Sequence, residues 1–320
     1  MKKTTLIFIT LTTCLFSCNT DSKKEQKISQ INLQVDFVDF YKEFYTADHK
    51  TIKPLKKKYP YLFPTNIDDK EWFEKINGTE GKILLAKTDS VYNNLSKEKD
   101  AIIKLFQHIK YYNNRFSPPK TFFLINDLDY EHSIVYSDSL LFISLDMYLG
   151  KDSEVYESFP QYLASNYTKE HIIVDISEKI IEQKFQIKRG RGFLESMIFY
   201  GKIIYLKQLF LPETEENILL KIEKNKLNWS QNNESEIWKY FITNNLLFST
   251  DNSLNKRFID EAPFSKFYME GDSESPGKIG RWIGYKIIQS YAKNNKTSLE
   301  DLLLLDAQSI LQRSKYKPSK

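Results

Sequence analysis

The chain has 320 residues and a nearly balanced charge, with 46 lysines and arginines against 42 aspartates and glutamates. The net charge of +4 gives no electrostatic basis for binding nucleic acid, so no nucleic-acid partner is expected. The two cysteines stand at positions 14 and 18, which excludes a disulfide framework in the body of the chain. The length is sufficient for one large domain or two small ones.

Residues 1–17 have the features of a lipoprotein signal peptide. Two lysines precede the apolar run "TLIFITLTTCLF", which is too short to cross a bilayer. Ser17 followed by Cys18 resembles a bacterial lipobox, which implies that Cys18 becomes the lipidated N-terminal residue after cleavage. Cys14 is the alternative, although Thr13 before it fits the small-residue rule less well. A lipidated Cys18 leaves the mature chain without a thiol for a disulfide or a metal.

The rest of the chain divides by pattern. Residues 18–30 are polar and lack an apolar period, which predicts a flexible tether between the lipid and the folded part. Residues 31–320 are predicted to form a single globular domain, sheet-rich over 31–150 and helical over 151–320. Within the first part, "INLQVDF" predicts a half-buried strand, and "TFFLIND", "SIVYS" and "LLFISLDMYLG" predict a small antiparallel or mixed sheet. Strands early and helices late indicate an α+β fold.

Two segments are predicted to be core helices. The first, over 96–112, has an apolar inner face formed by Ile102, Ile103, Leu105, Phe106 and Ile109. The second, "GFLESMIFYGKIIYLKQLFL" at 192–211, is apolar almost all round. Its three charged residues would be costly in lipid, so we interpret it as a central core helix rather than a membrane span.

A third helix, predicted over 275–291, begins with a Ser-Pro pair that favours a helix start. Gly277, Gly280 and Gly284 fall on one face of it, within about 60° of one another. Each glycine costs about 1 kcal/mol relative to alanine inside a helix. A stripe of them therefore predicts that another backbone packs closely there, and we expect that neighbour to be the helix at 192–211.

Few residues have the spacing of a catalytic or metal site. None of the four histidines begins a His-Glu-x-x-His motif. His171, Asp175 and Glu178 share one helical segment and could hold a metal, but a solvated helix face is the stronger interpretation. We therefore predict no catalytic residue, metal ligand or cofactor. Asp146, at a strand end, is the best isolated polar candidate for a cleft. Trp282, on the polar side of its helix, is a candidate contact for a partner or lies along the surface.

Several segments, taken together, resemble the gliding-motility lipoprotein B family (GldB). They occur in consistent order over nearly the whole mature chain: the lipobox, "YPYLFP", "LLFISLDMYLG", "LLFSTD", "APFSKF", "ESPGKIGRWIGYKII" and "SKYKP". The resemblance implies a lipid-anchored membrane protein of the gliding and type IX secretion apparatus. Its expected partners are the bilayer, through Cys18, and other envelope proteins, and we expect it to face the periplasm.

The order of elements is also similar to that of zincin-like metallopeptidases. Those proteins carry His-Glu-x-x-His on one helix and a Glu-Gly pair on the next. The corresponding first helix here, in the region of 170–184, lacks the motif, and Tyr200-Gly201 stands where the ligand Glu is found. The resemblance implies a zincin-like scaffold that has lost its metal while Tyr200 and Gly201 remain as packing residues.

Three functions are compatible with these patterns. The preferred one is a non-catalytic structural or interaction component on a zincin-like scaffold, and not an enzyme. The first alternative is a cryptic zincin-like hydrolase. The second is a ligand-binding lipoprotein in which some of the 20 tyrosines and 22 phenylalanines line a pocket.

Overall fold

A computed structural model describes residues 19–319, so the signal peptide and Cys18 lie outside the described residues. The part up to residue 150 contains all four strands of the described chain together with six helices. The helices are α1 (Asn19–Ser29), α2 (Phe40–Tyr45), α3 (Ile52–Lys58), α4 (Asp69–Asn77), α5 (Thr79–Val91) and α6 (Ser96–Tyr112). The strands are β1 (Phe37–Val38), β2 (Lys120–Leu124), β3 (Ile134–Tyr136) and β4 (Leu140–Ser144).

The part after residue 150 is helical. Its helices are α7 (Gln161–Ala164), α8 (Lys169–Lys184), α9 (Phe193–Phe210), α10 (Glu216–Leu220), α11 (Lys224–Asn232), α12 (Glu234–Thr243), α13 (Ser253–Phe258), α14 (Ile279–Asn294), α15 (Leu299–Leu304) and α16 (Ala307–Ser314). The predicted α+β organisation is confirmed, but the part over 31–150, predicted to be sheet-rich, is mainly helical and contains only a small sheet.

The four strands form a mixed sheet in the order β1-β2-β4-β3. β1 pairs with β2, and β2 with β4, in parallel, while β3 and β4 are antiparallel. Of the two arrangements predicted, antiparallel or mixed, the mixed one is confirmed, because β2 pairs in parallel with both of its neighbours. A tight turn joins β3 to β4, where Ser137 N donates to Leu140 O at 2.8 Å. The longer segment 125–133 connects β2 to β3, and β4 lies between these two strands in the sheet. β2 therefore pairs with one edge of β4 and β3 with the opposite edge.

The strand predicted over 31–37 is much shorter in the structure. Only Phe37 and Val38 pair with β2, and the preceding residues are irregular. Alternating apolar residues indicated burial on one side, but sheet pairing depends on a neighbour that the local pattern does not reveal.

Helix α9 joins two apolar cores. Ile203, Leu206 and Phe210 pack into the core around the sheet, whereas Phe193 and Met197 pack into the core among α11–α14 and α16. The prediction of a central core helix is confirmed by this burial. Within residues 19–319, no helix is both long and apolar enough to cross a membrane.

The segment predicted as a flexible tether, 18–30, is instead helical from Asn19 and is docked on α6. Ile28 is 2% exposed. Glu25 Oε2 lies 3.3 Å from Nε2 of His108, and the Gln107 amide donates to the carbonyl oxygen of Ile31 at 2.9 Å. The tether prediction was wrong because one apolar side chain and two polar contacts dock a helix whose composition is otherwise polar.

Helices α9 and α14 cross at two glycines. A Cβ atom built on Gly201 would lie 2.5 Å from the carbonyl oxygen of Gly284 and 2.7 Å from the nitrogen of Tyr285. A Cβ on Gly284 would overlap the carbonyl oxygen of Met197. A Cβ on Gly280, one turn before Gly284, would lie 2.9 Å from the carbonyl oxygen of Phe258 at the end of α13 and 3.3 Å from the ring of Phe193 on α9. The two backbones are therefore in direct contact, which glycine alone permits.

Helix α14 begins later than the sequence suggested. Lys278 adopts a left-handed conformation with φ 62°, so the helix begins at Ile279 and not at the Ser-Pro pair. Ser265, from the preceding loop, accepts a hydrogen bond from Ile279 N at 3.3 Å and donates to Pro276 O at 2.8 Å. Gly277 consequently precedes the helix and packs against Ala262 rather than α9.

Candidate functional site

Helices α8, α9 and α14 line a cleft of about 330 Å³. Asp175, Glu178 and Glu182 project from α8 at positions i, i+3 and i+7, so they share one helix face. Tyr200 and Lys207, seven residues apart on α9, likewise share one helix face and line the cleft from that helix. The remaining wall comes from the start of α14, the end of α10, the loop before β3 and the segment after α13.

Three ion pairs connect the elements around the cleft. Lys207 Nζ on α9 lies 2.8 Å from Glu178 Oε2 on α8. Lys221 Nζ, directly after α10, lies 2.9 Å from Asp175 Oδ1. Lys278 Nζ, before α14, lies 2.8 Å from Glu261 Oε1 in the segment after α13. Asp175 also accepts a hydrogen bond of 2.9 Å from the hydroxyl of Tyr148, next to the sheet.

The pKa values reflect the competition between burial and pairing. Burial alone would raise the pKa of Glu178, but Lys207 and Lys221 outweigh it and hold that pKa well below its usual range. Burial lowers the pKa of Lys278 to about 8, and Glu261 opposes only part of that shift. Glu178 is therefore a firmly ionised carboxylate and a weak base.

Arg281 and Tyr200 form the centre of one wall. The Cζ atom of Arg281 lies 3.9 Å from the centroid of the Tyr200 ring, a stacked cation–π contact. Arg281 Nε donates to the carbonyl oxygen of Ile259 at 2.6 Å, which fixes the plane of the guanidinium group. Tyr200 thus lines the cleft, whereas its neighbour Gly201 forms the helix crossing.

The family of the chain is shown by comparison with known proteins. The family model described as gliding motility protein GldB matches residues 21–318, nearly the whole chain. The chain belongs to the GldB family. Membership implies a gliding-motility lipoprotein associated with a membrane of the cell envelope. No curated protein and no solved structure matches the chain.

In this GldB-family protein, Trp282 is not a surface residue. Its side chain is fully buried at the wall of the cleft, and Nε1 donates to Glu216 Oε1 of α10 at 3.3 Å. The prediction that Trp282 lies on a polar, exposed side of α14 was wrong, because other elements cover this helix on nearly all sides. Even Lys278, the charged residue directly before the helix, is buried and paired with Glu261.

Asp146 lies outside the cleft and holds a loop in place. It is fully buried after β4, and its carboxylate accepts hydrogen bonds from Asn126 N at 3.1 Å and Leu128 N at 2.8 Å. Asp127 and Leu128 have positive φ angles of 60° and 63°, a turn that these bonds stabilise. Burial raises the pKa of Asp146 to about 6. The interpretation of Asp146 as a cleft residue is replaced by a role in positioning the segment between β2 and β3.

The three residues considered for a metal are not brought together. Asp175 and Glu178 line the cleft and are paired with lysines, whereas His171 is not part of its lining. His171 Nδ1 lies 2.9 Å from the hydroxyl of Thr168, and burial lowers its pKa to about 4. In the part of the chain that the structure describes, no group of three or more His, Cys, Asp or Glu side chains could hold a metal ion.

The cations of the cleft were missed by sequence reasoning. Lys207, Lys221, Lys278 and Arg281 come from three separate segments, and no local motif connects them. A signal was nevertheless present in α9, because a lysine in an apolar helix is buried only when it is paired. The second such lysine, Lys202, donates to Leu303 O at 2.9 Å and to Leu305 O at 2.8 Å, so it caps α15 instead of entering the cleft.

Proposed function

We propose that the protein is anchored through lipidated Cys18, faces the periplasm, and acts as a non-catalytic interaction component of the gliding and type IX secretion apparatus. Membership of the GldB family and the lipobox at Cys18 support the anchor. Cys18 directly precedes α1, so the lipid would be attached to a helix that is docked on the folded part.

The pairing of Asp175 and Glu178 with lysines is the observation that carries the non-catalytic role. Asp175 and Glu178 are each held by a lysine below 3 Å, and the pKa of Glu178 is held well below its usual range. A general base works best with a pKa near the operating pH, and a metal ligand needs free lone pairs. The arrangement favours a surface that is rigid and charged over one that performs proton transfer.

The test removes the Glu178–Lys207 ion pair of the cleft but keeps its packing. In a strain where the variant is the sole copy, Glu178→Leu combined with Lys207→Met replaces an ion pair by apolar side chains of similar size. Such a replacement is often neutral or stabilising. We expect normal protein levels, an unchanged thermal unfolding midpoint and gliding at wild-type speed.

Glu178→Leu alone is the matched control, because it leaves Lys207 buried without its carboxylate. We expect a destabilisation of about 3–5 kcal/mol in the single variant. Loss of gliding in the stable double variant would contradict the non-catalytic role, since general acid–base catalysis contributes about 10²–10⁴-fold.

The interaction itself is tested by crosslinking in intact cells, followed by purification and mass spectrometry. We expect the same envelope proteins to be recovered in repeated experiments with the wild type and to be lost with Cys18→Ser. Recovery of no reproducible neighbour at native expression would contradict an interaction role.

A cryptic zincin-like hydrolase is the second candidate. The observation in its favour is that Asp175, Glu178 and Tyr200 line one cleft, on the two helices where the resemblance expects the metal ligands. We expect elemental analysis of the gently purified protein to show no stoichiometric zinc, and we expect no cleavage of casein. About one zinc per chain, lost in Asp175→Asn, would favour the hydrolase.

A further inference from the structure

The most deeply buried charged side chains of the cleft are lysines. The ammonium-bearing side chains of Lys207 and Lys278 are 5% and 7% exposed. Glu261 is 43% exposed, and Glu182, at the rim, is also exposed. The five basic residues of the lining are all buried or half-buried, whereas three of its five acidic residues are exposed. The cleft therefore has a floor with two buried lysines, Lys207 and Lys278, and a rim with three exposed carboxylates, while Asp175 and Glu178 lie at intermediate depth.

The floor has hydrogen-bonding capacity beyond its ion pairs. An ammonium group has three donors, and Glu261 accepts one bond from Lys278. Arg281 is half-buried, and its described hydrogen bond to Ile259 uses Nε, while stacking on Tyr200 holds the planar group. A guanidinium group has five donors, whose fork matches the two oxygens of a carboxylate.

We propose that this cleft binds the carboxylate group of a ligand, with Arg281 as the bidentate donor and Lys278 as the second cation. The volume of about 330 Å³ is at the small end of ligand sites and suits one terminal residue of a peptide or a small organic acid. Tyr200, whose ring lies against Arg281, and Ile203 and Ile204 on the same helix provide apolar wall. The inference deepens the proposed interaction role by naming the chemistry that the cleft recognises.

The experiment is isothermal titration calorimetry on the full mature protein in neutral detergent. The three probes are succinate, the dipeptide acetyl-Ala-Phe with a free carboxylate, and the same dipeptide as its amide. We expect the free acid to bind at least tenfold more tightly than the amide, because the amide removes the charge that Arg281 recognises.

Arg281→Met is expected to weaken binding of the acid by at least about tenfold, and Arg281→Lys to restore part of it, since lysine keeps the charge but not the fork. Lys278→Met provides a second variant that leaves the Arg281–Ile259 contact in place. Arg313→Met is the matched control, because Arg313 stacks on Tyr291 at 5.4 Å outside the cleft. Thermal unfolding midpoints show which variants are folded.

The outcomes separate the possible sources of the carboxylate. Binding of the dipeptide acid supports a protein C-terminus, and binding of succinate alone supports a small organic acid. Equal binding of acid and amide, binding of no probe, or binding that is insensitive to both Arg281 and Lys278 would overturn the proposal. If Arg281→Met glides normally and recovers the same crosslinked proteins, the interaction role does not depend on carboxylate binding in this cleft. Loss of gliding and crosslinking in Cys18→Ser tests the lipid anchor and not this cleft.

Discussion

Gly201 and Gly284 determine how closely α9 and α14 approach each other, and Gly280, one turn earlier on α14, packs against the end of α13 and the ring of Phe193. A side chain at Gly284 would meet the carbonyl oxygen of Met197, which belongs to a helix backbone and has little freedom to move. We expect Gly284→Ala to cost about 1–3 kcal/mol or more in unfolding free energy. Gly280→Leu is expected to be at least as costly, because its branched side chain would meet Phe193 and Ile259.

Lys286→Ala serves as the control on the same helix, since Lys286 is half-buried and lies on the side of Trp282, 6.0 Å from that ring. Its cost should stay within about 0.5 kcal/mol. Thermal or urea unfolding of the three variants measures the difference. Equal tolerance at all three positions would contradict the close contact between the helices.

Lys202 makes the stability of the protein depend on pH. Burial lowers its pKa to about 8 in the folded state, below the usual lysine value, and the nearby Lys188 adds to the shift. The unfolded chain therefore binds more protons than the folded one above pH 8, so folding becomes more favourable as the pH rises through this window. Below pH 8 both states are protonated and the contribution is constant.

The variant Lys202→Met removes this titration. We expect the unfolding free energy of the wild type, relative to the variant, to increase by about 1 kcal/mol per pH unit from pH 8 toward pH 10. Urea unfolding at several pH values measures the difference. A difference that does not change with pH would show that Lys202 titrates at the same pH in both states.

At the level of elements, α1 is docked on α6 directly after the proposed lipid anchor. Ile28 is a buried residue of this helix, Glu25 contacts His108 of α6, and Gln107 of α6 donates to the carbonyl oxygen of Ile31, directly after α1. Burial of one isoleucine side chain contributes about 1.5–3 kcal/mol. We expect Ile28→Asp to release α1 and to increase the rate of trypsin cleavage within residues 23–27 at least tenfold.

Gln26→Asp provides the control, because the same side chain is introduced at an exposed position of the same helix. Limited proteolysis of the solubilised proteins compares the two variants. Both should remain in the membrane fraction, since the lipid is unaffected. Cleavage at the same rate in both would contradict a docked α1.

For the whole molecule, the anchor is expected to determine location without determining the fold. A multiply acylated N-terminus binds a bilayer firmly, whereas one acyl chain binds only marginally. We expect Cys18→Ser to leave the membrane fraction while retaining the wild-type unfolding midpoint, because the apolar cores lie within the described residues. Sedimentation after a carbonate wash and thermal unfolding provide the two readings. A variant that still sediments with membranes would contradict lipidation at Cys18.

The sequence by itself determined the features that depend on local pattern. The helix at 96–112 was predicted with its inner face, of which Ile102, Leu105, Phe106 and Ile109 are buried and Ile103 is half-buried. Helix α9 was predicted as a core helix because it is apolar on every side, and the GldB family was recognised from motifs along the chain. Periodicity reports burial, and burial is what these predictions needed.

The tertiary structure alone decided which distant groups meet. Glu178 and Lys207 lie on different helices, and their pairing depends on how α8 and α9 are placed in space. The start of α14 depends on Ser265, a residue of another segment, and the helix at Asn19–Ser29 depends on the surface of α6. These charged side chains pair with residues that are distant in the sequence, and a single sequence does not show which distant residues lie close together in the fold. The family and the core helices could therefore be predicted from the sequence, whereas the charged cleft could not.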